Sequence, residues 1–153
     1  MEKIASFCVD HTKLKKGIYL SRVDGDVNTY DLRMCTPNAG TYLENGALHT
    51  FEHLFATYVR NSQYTDSIVY VGPMGCRTGF YFLTRDSMSH AQVIALLREV
   101  CAFAASFNGD IPGNSEVECG NFRDHDLAGA CAIGAAFGEV IKDWTPEKMT
   151  YEA

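Results

Sequence analysis

No run of basic residues occurs anywhere in the chain, nor any interleaving of basic with aromatic residues, and the net charge is −6. Phosphate binding needs Lys and Arg in surplus on one face, so a nucleic-acid partner is not expected. The six cysteines, at 8, 35, 76, 101, 119 and 131, form no C-x-x-C pair, which argues against a zinc ribbon. No G-x-G-x-x-G is found, and a nicotinamide or flavin is not expected. The longest small-and-apolar stretch, Leu127 to Ile141, carries Glu139 and is shorter than the roughly 20 residues that span a bilayer. The N-terminal Met-Glu-Lys-Ile-Ala-Ser-Phe lacks the apolar core and cleavage pattern of a signal peptide. A cytosolic protein without membrane contact is therefore expected, with its cysteines reduced. Repeats, linkers and low-complexity segments are also missing.

What is present is the composition of an ordinary folded protein, 46% hydrophobic and 21% charged, at a length of 153 residues that suits one domain, 1–153. Gly17 to Cys35 reads as a β-hairpin turning at Asp24-Gly25-Asp26, and Cys8-Val9 as a short strand before it. Leu48, Phe51, Leu54, Phe55 and Tyr58 recur at helical spacing and predict a helix over 47–60. Strands are expected at Ile68 to Val71 and Gly79 to Leu83. Ser89 and Gln92 form a capping box for a second helix, with Val93, Leu96, Leu97, Val100 and Phe103 as its buried stripe. Asn108 to Asn121 reads as a long loop, and Asp126 to Trp144 as a last helix whose Gly129, Gly134 and Gly138 suit close packing. The expected fold class is α+β: a small, largely antiparallel sheet covered by helices.

His49-Thr50-Phe51-Glu52-His53 lies on the first of these helices. Residues four apart share a helix face, so both imidazoles can reach one ion, and Glu52 falls beside it. The pattern H-x-x-E-H is a metal-site signature. A catalytic metal normally has three protein ligands and one open position. Candidates for the third are Cys119, Glu116, Glu118 and His125; a thiolate suits a borderline-soft ion best, although a single cysteine is often only a small apolar filler. A second candidate is Cys76, in the glycine-rich Gly72-Pro73-Met74-Gly75-Cys76-Arg77-Thr78-Gly79. Arg77 lowers the thiol pKa there if its side chain turns toward the sulfur.

Five blocks together resemble the S-ribosylhomocysteine lyase (LuxS) family: Ser6-Phe7-Cys8-Val9-Asp10-His11; Asp31-Leu32-Arg33-Met34 with Pro37-Asn38; His49 to His53; Gly72 to Tyr81; and Cys119-Gly120-Asn121 with His125-Asp126-Leu127. They stand in the family's order at compatible spacing. The resemblance implies that His49, His53 and Cys119 bind one divalent metal, ferrous iron natively, with zinc or cobalt able to replace it. It implies that Glu52 and Cys76 are the acid/base pair, and that Ser6, His11 and Arg33 line the pocket for S-ribosylhomocysteine. It further implies a homodimer with active sites at the subunit interface, and products that feed autoinducer-2 formation and the methyl cycle. Two rivals are a zinc metallopeptidase, which takes an acidic third ligand, and a non-catalytic metal-binding module, which closes its coordination with a fourth protein ligand.

Overall fold

The computed structural model describes residues 1–152. Its elements run β1 (Gly17–Asp24), β2 (Val27–Arg33), α1 (Asn45–Arg60), β3 (Ile68–Pro73), β4 (Gly79–Arg85), α2 (His90–Ser106) and α3 (Leu127–Ile141). The four strands form one sheet in the order β1-β2-β4-β3, antiparallel throughout. This is the α+β architecture that the sequence predicts.

Strand alternation decides what each face of the sheet does. Tyr30, Leu32, Phe80 and Phe82 are wholly buried and point toward the helices, where Phe51 and Phe55 of α1 meet the two β4 rings at 5.2 to 6.2 Å between centroids. Truncating a buried Phe typically costs about 3–5 kcal/mol, so these contacts fix how α1 sits on the sheet. Tyr19, Asp31 and Tyr81, paired across β1, β2 and β4, point the other way, together with Arg33. Part of that second face is covered by the C-terminal segment: Tyr151 stacks on Tyr19 at 5.0 Å and donates its hydroxyl to Asp31 Oδ2 at 2.7 Å.

The helices pack closely through glycine. A Cβ at Gly129 would lie 2.6 Å from Ala47 Cβ of α1, and one at Gly134 would lie 2.9 Å from Ala104 Cβ of α2. The Ser89–Gln92 capping box forms as predicted. Its helix buries Val93, Leu96, Leu97 and Val100, with Ile94, Cys101 and Ala104 in addition, while Phe103 is only partly buried.

Two expectations fail. Cys8 and Val9 are not a strand: Ala5–Phe7 is a 3-10 turn, with Phe7 N–H donating to Ile4 O and Cys8 N–H to Ala5 O. No sheet edge is paired with that segment, and Phe7 stands exposed. The last helix ends at Ile141 and not at Trp144. Arg98 of α2 donates to the carbonyls of Ile141 and Trp144, and the Trp144 indole N–H turns back to Ile18 O at 2.9 Å. Docking the indole on β1 ends the helix. No helix among the described residues is long and apolar enough to cross a membrane.

Candidate functional site

The α1 motif behaves as its spacing suggests. His49 and His53 lie on one face, with ring centroids 4.7 Å apart. The loop before α3 supplies the rest: one ligating atom from each of His49, His53, Cys119 and His125 falls within 4.8 Å of the others. Cys119 Sγ is 3.4 Å from His49 Nε2 and also accepts the Asn121 backbone N–H.

Backbone carbonyls orient both α1 rings. His49 Nδ1 donates to Asp124 O at 2.7 Å, and His53 Nδ1 donates to Pro112 O at 2.7 Å. A carbonyl can only accept, so each Nδ1 carries the proton and each Nε2 keeps a lone pair. Gly113, next to that second carbonyl, has φ +71°, and a Cβ there would lie 3.3 Å from His53 Nδ1. His125 stacks on His49 at 4.0 Å with the planes 20° apart. Burial, with the neighbouring His49 and His53 adding to it, holds its pKa below the ordinary histidine value. Two imidazole lone pairs and a thiol at one point form a donor set that suits Fe²⁺, Zn²⁺ or Co²⁺.

The acidic alternatives for the third ligand are outside this cluster. Glu116 and Glu118 are exposed, and Glu118 Oε2 accepts the Ser115 hydroxyl at 2.6 Å, which occupies it in its own turn. That counts against the metallopeptidase. Glu52 is half-buried on α1 and makes no hydrogen bond to the described residues.

Cys76 belongs to a second corner. The β3–β4 connection brings it to a cleft of about 390 Å³ that Ser6, His11, Arg33 and Tyr81 also line. None of His49, Glu52, His53, Cys119 or His125 lines that cleft. The structure therefore assembles the predicted residues into two groups, and one chain does not merge them into one cleft.

Arg77 does not serve Cys76. Its guanidinium donates to Leu43 O at 3.2 Å and lies 5.9 Å from the centre of the Tyr42 ring. The thiol instead meets Thr78 Oγ1 at 3.1 Å, and Arg33 Nη1 donates to the same hydroxyl at 2.7 Å. Arg33 is itself clamped by Asp31 through two bonds, at 3.1 and 2.7 Å, with both side chains 3% exposed or less. Asp31 and Thr78, to which sequence reasoning gave no role, build this corner by holding Arg33. The available signal was an acid and a base two apart on a strand, which puts both on one face.

A family profile for S-ribosylhomocysteinase (LuxS) matches residues 4–148. The S-ribosylhomocysteine lyase of Desulfotalea psychrophila is 46% identical to this chain over 99% of each. Those of Clostridium acetobutylicum, at 42%, and Phocaeicola vulgatus, at 43%, align over 99% of this chain and at least 98% of their own. The chain belongs to the LuxS family. Both of its corners fall inside the matched residues, so the family match spans the histidine cluster and the Cys76 cleft alike.

Proposed function

We propose that this chain is an S-ribosylhomocysteine lyase, converting its substrate to homocysteine and 4,5-dihydroxy-2,3-pentanedione, the autoinducer-2 precursor. The carrying observation is that two imidazole lone pairs and a thiol converge on one point in a chain whose close relatives are named for this activity. His49, His53 and Cys119 hold one divalent ion, with ferrous iron as the native metal. Glu52 and Cys76 move protons. Ser6, His11 and Arg33 line the substrate cleft.

The chemistry explains why two proton carriers are needed. The thioether sits on C5 of the sugar, and sulfur leaves readily only when a carbonyl stands at C3. The free sugar has its carbonyl at C1. It must move to C2 and then to C3, and each shift takes a proton from one carbon and returns one to its neighbour. A bound divalent ion supplies Lewis acidity, which polarises a carbonyl and acidifies the C–H beside it. Cys76 and Glu52 exchange those protons. Removal of the C4 proton then breaks the C5–S bond, and the electron pair leaves on the homocysteine sulfur, which is protonated.

Shared active sites in a cytoplasmic homodimer belong to the same reading. Two features support them. Glu52 and the histidine cluster lie outside the Cys76 cleft, so a second copy that brings its α1 corner to this cleft completes the set. Phe7 of the cleft, and Ile4 and Tyr70 of the adjoining hollow that shares Ser6, Pro73 and Tyr81 with it, are 70%, 56% and 58% exposed, an apolar surface suited to covering. The test is anaerobic incubation of the metal-loaded protein with S-ribosylhomocysteine. Release of one homocysteine thiol per substrate is expected; no release overturns the proposal. Mixing inactive Glu52→Gln with inactive Cys76→Ala restores part of the activity if sites are shared.

A further inference from the structure

His125 is held differently from the other two histidines of its cluster. His49 and His53 each donate Nδ1–H to a carbonyl. His125 Nδ1 instead lies 2.8 Å from the hydroxyl of Thr50, a side chain with no exposed surface. That hydroxyl already accepts the Asp126 backbone N–H at 2.9 Å. Its single proton has no other acceptor among the described residues than His125 Nδ1. Were His125 to donate instead, the buried Thr50 proton would be left unpaired, at a cost of about 1–3 kcal/mol. Thr50 is thus the donor and Nδ1 the acceptor, so the neutral ring carries its proton on Nε2. His125 Nε2 is buried and meets no partner among the described residues. Buried polar atoms without a partner are uncommon, and each asks for a ligand or a role.

We propose that His125 is a hydrogen-bond donor to the ligand bound at this centre and not a fourth metal ligand. Thr50 fixes the Nε2–H tautomer, so the group that His125 presents has no lone pair for an ion. The acceptor is an oxygen atom of the substrate, a sugar hydroxyl or carbonyl. A neutral N–H at that place strengthens its bond as charge gathers on the oxygen, and it takes nothing from the open coordination position. The distinction separates two kinds of protein. Four protein ligands close a structural site, whereas three ligands and a donor leave it open for chemistry. The inference rests on the reading of this cluster as a metal centre.

The test is to label the protein with ¹⁵N-histidine and record two-bond ¹H–¹⁵N spectra, metal-free and loaded with ¹¹³Cd. In both states His125 is expected to show a protonated Nε2 and a bare Nδ1, the reverse of His49 and His53. Cadmium is expected to split Nε2 of His49 and His53 and to leave His125 unsplit. A cadmium coupling to His125, or a proton on its Nδ1, overturns the proposal. A chain that takes up no cadmium defeats the lyase reading, and the metal-free spectrum still decides the tautomer. Two variants carry the question to function. His125→Ala keeps one metal per chain, and its turnover of S-ribosylhomocysteine falls about 10²-fold, in the range for loss of one such donor. His125→Gln, which keeps an N–H, recovers part of that loss. Metal lost from both variants, or a Gln variant no better than Ala, counts against the donor.

Discussion

At the α1 corner the histidines are aimed by backbone: the carbonyls of Asp124 and Pro112 take their Nδ1 protons, and both belong to the loop that leads to α3. At the β3–β4 turn, Cys76 is held by side chains, with Thr78 against the sulfur, Arg33 behind Thr78 and Asp31 behind Arg33. The first arrangement leaves a set of donors with nothing of opposite charge among them, half-buried and ready for a cation. The second buries its own cation and anion together. It follows that the two thiols should respond differently to the same change, because Cys119 sits beside unprotonated imidazole nitrogens and Cys76 beside a completed hydrogen-bond chain.

The largest expected effect breaks that contrast directly. Cys119→Ala should empty the site, whereas Cys76→Ala should keep one metal per chain and the fold. Turnover in Cys76→Ala should fall by about 10²–10⁴-fold, the usual cost of losing a general base. Elemental analysis and thiol release on the same samples decide it: metal lost from both variants alike, or from neither, removes the distinction between the corners.

Next in size is the buried pair behind Cys76. Asp31→Ala leaves the Arg33 guanidinium buried and unpaired, which should cost about 3–5 kcal/mol of stability. Glu52→Gln, at the other corner, removes a carboxylate that holds nothing in place and should stay within about 0.5 kcal/mol of the parent. Denaturant melts of the two variants measure the difference, and equal midpoints would refute it.

How much of this was legible in the sequence follows the same divide. The H-x-x-E-H pair was readable because helical period alone puts His49 and His53 on one face. Their orienting carbonyls were not, since every residue has a carbonyl and only the folded loop selects Asp124 and Pro112. His125 stood among several possible third ligands; the sequence holds no sign that Thr50 would set its tautomer. At the turn, Arg77 adjoins Cys76 in the chain but turns to Leu43 O, and Arg33, far away in sequence, arrives through strand pairing. The hairpin, the starts of α2 and α3 and the capping box were legible because local chemistry determines them, whereas α1 begins at Asn45, two residues before the expected 47. The end of α3 was not, because Trp144 is drawn off by β1, a contact across almost the whole chain.

A third contrast concerns a thiol in neither corner. Cys101 of α2 is buried, which pushes its pKa up to about 12 from the ordinary 9.0. Above pH 9 the unfolded chain gives up this proton while the folded chain keeps it. The raised folded value thus favours folding fully below pH 9, and that contribution is lost as pH rises from 9 toward 12. The loss should run at about 1.4 kcal/mol per pH unit, in stability curves taken across that range. Cys101→Ala should flatten the slope without abolishing it, since burial also raises Tyr19, Tyr30, Tyr81 and Tyr151. An unchanged slope in Cys101→Ala would assign the alkaline loss to the tyrosines alone.

The smallest expected effects sharpen the comparison most, because each touches one corner through a residue that bears none of the proposed chemistry. Gly113 has φ +71° beside the His53 ring, so Gly113→Ala strains the backbone by about 1–2 kcal/mol and presses a methyl on Nδ1. Disturbing a residue that orients a ligand lowers metal affinity by about 10–100-fold. Thr78→Val keeps the shape at the other corner but removes the hydroxyl between Arg33 and Cys76, leaving a buried guanidinium N–H without its acceptor at about 1–3 kcal/mol. The two variants should separate cleanly. Gly113→Ala should bind metal more weakly and alkylate at Cys76 at the parent rate; Thr78→Val should bind metal as the parent does and alkylate at a changed rate. Competition with a chelator reads the first property, and timed iodoacetamide labelling with peptide mapping reads the second. If either variant moves both readouts, the account of two independently built corners fails.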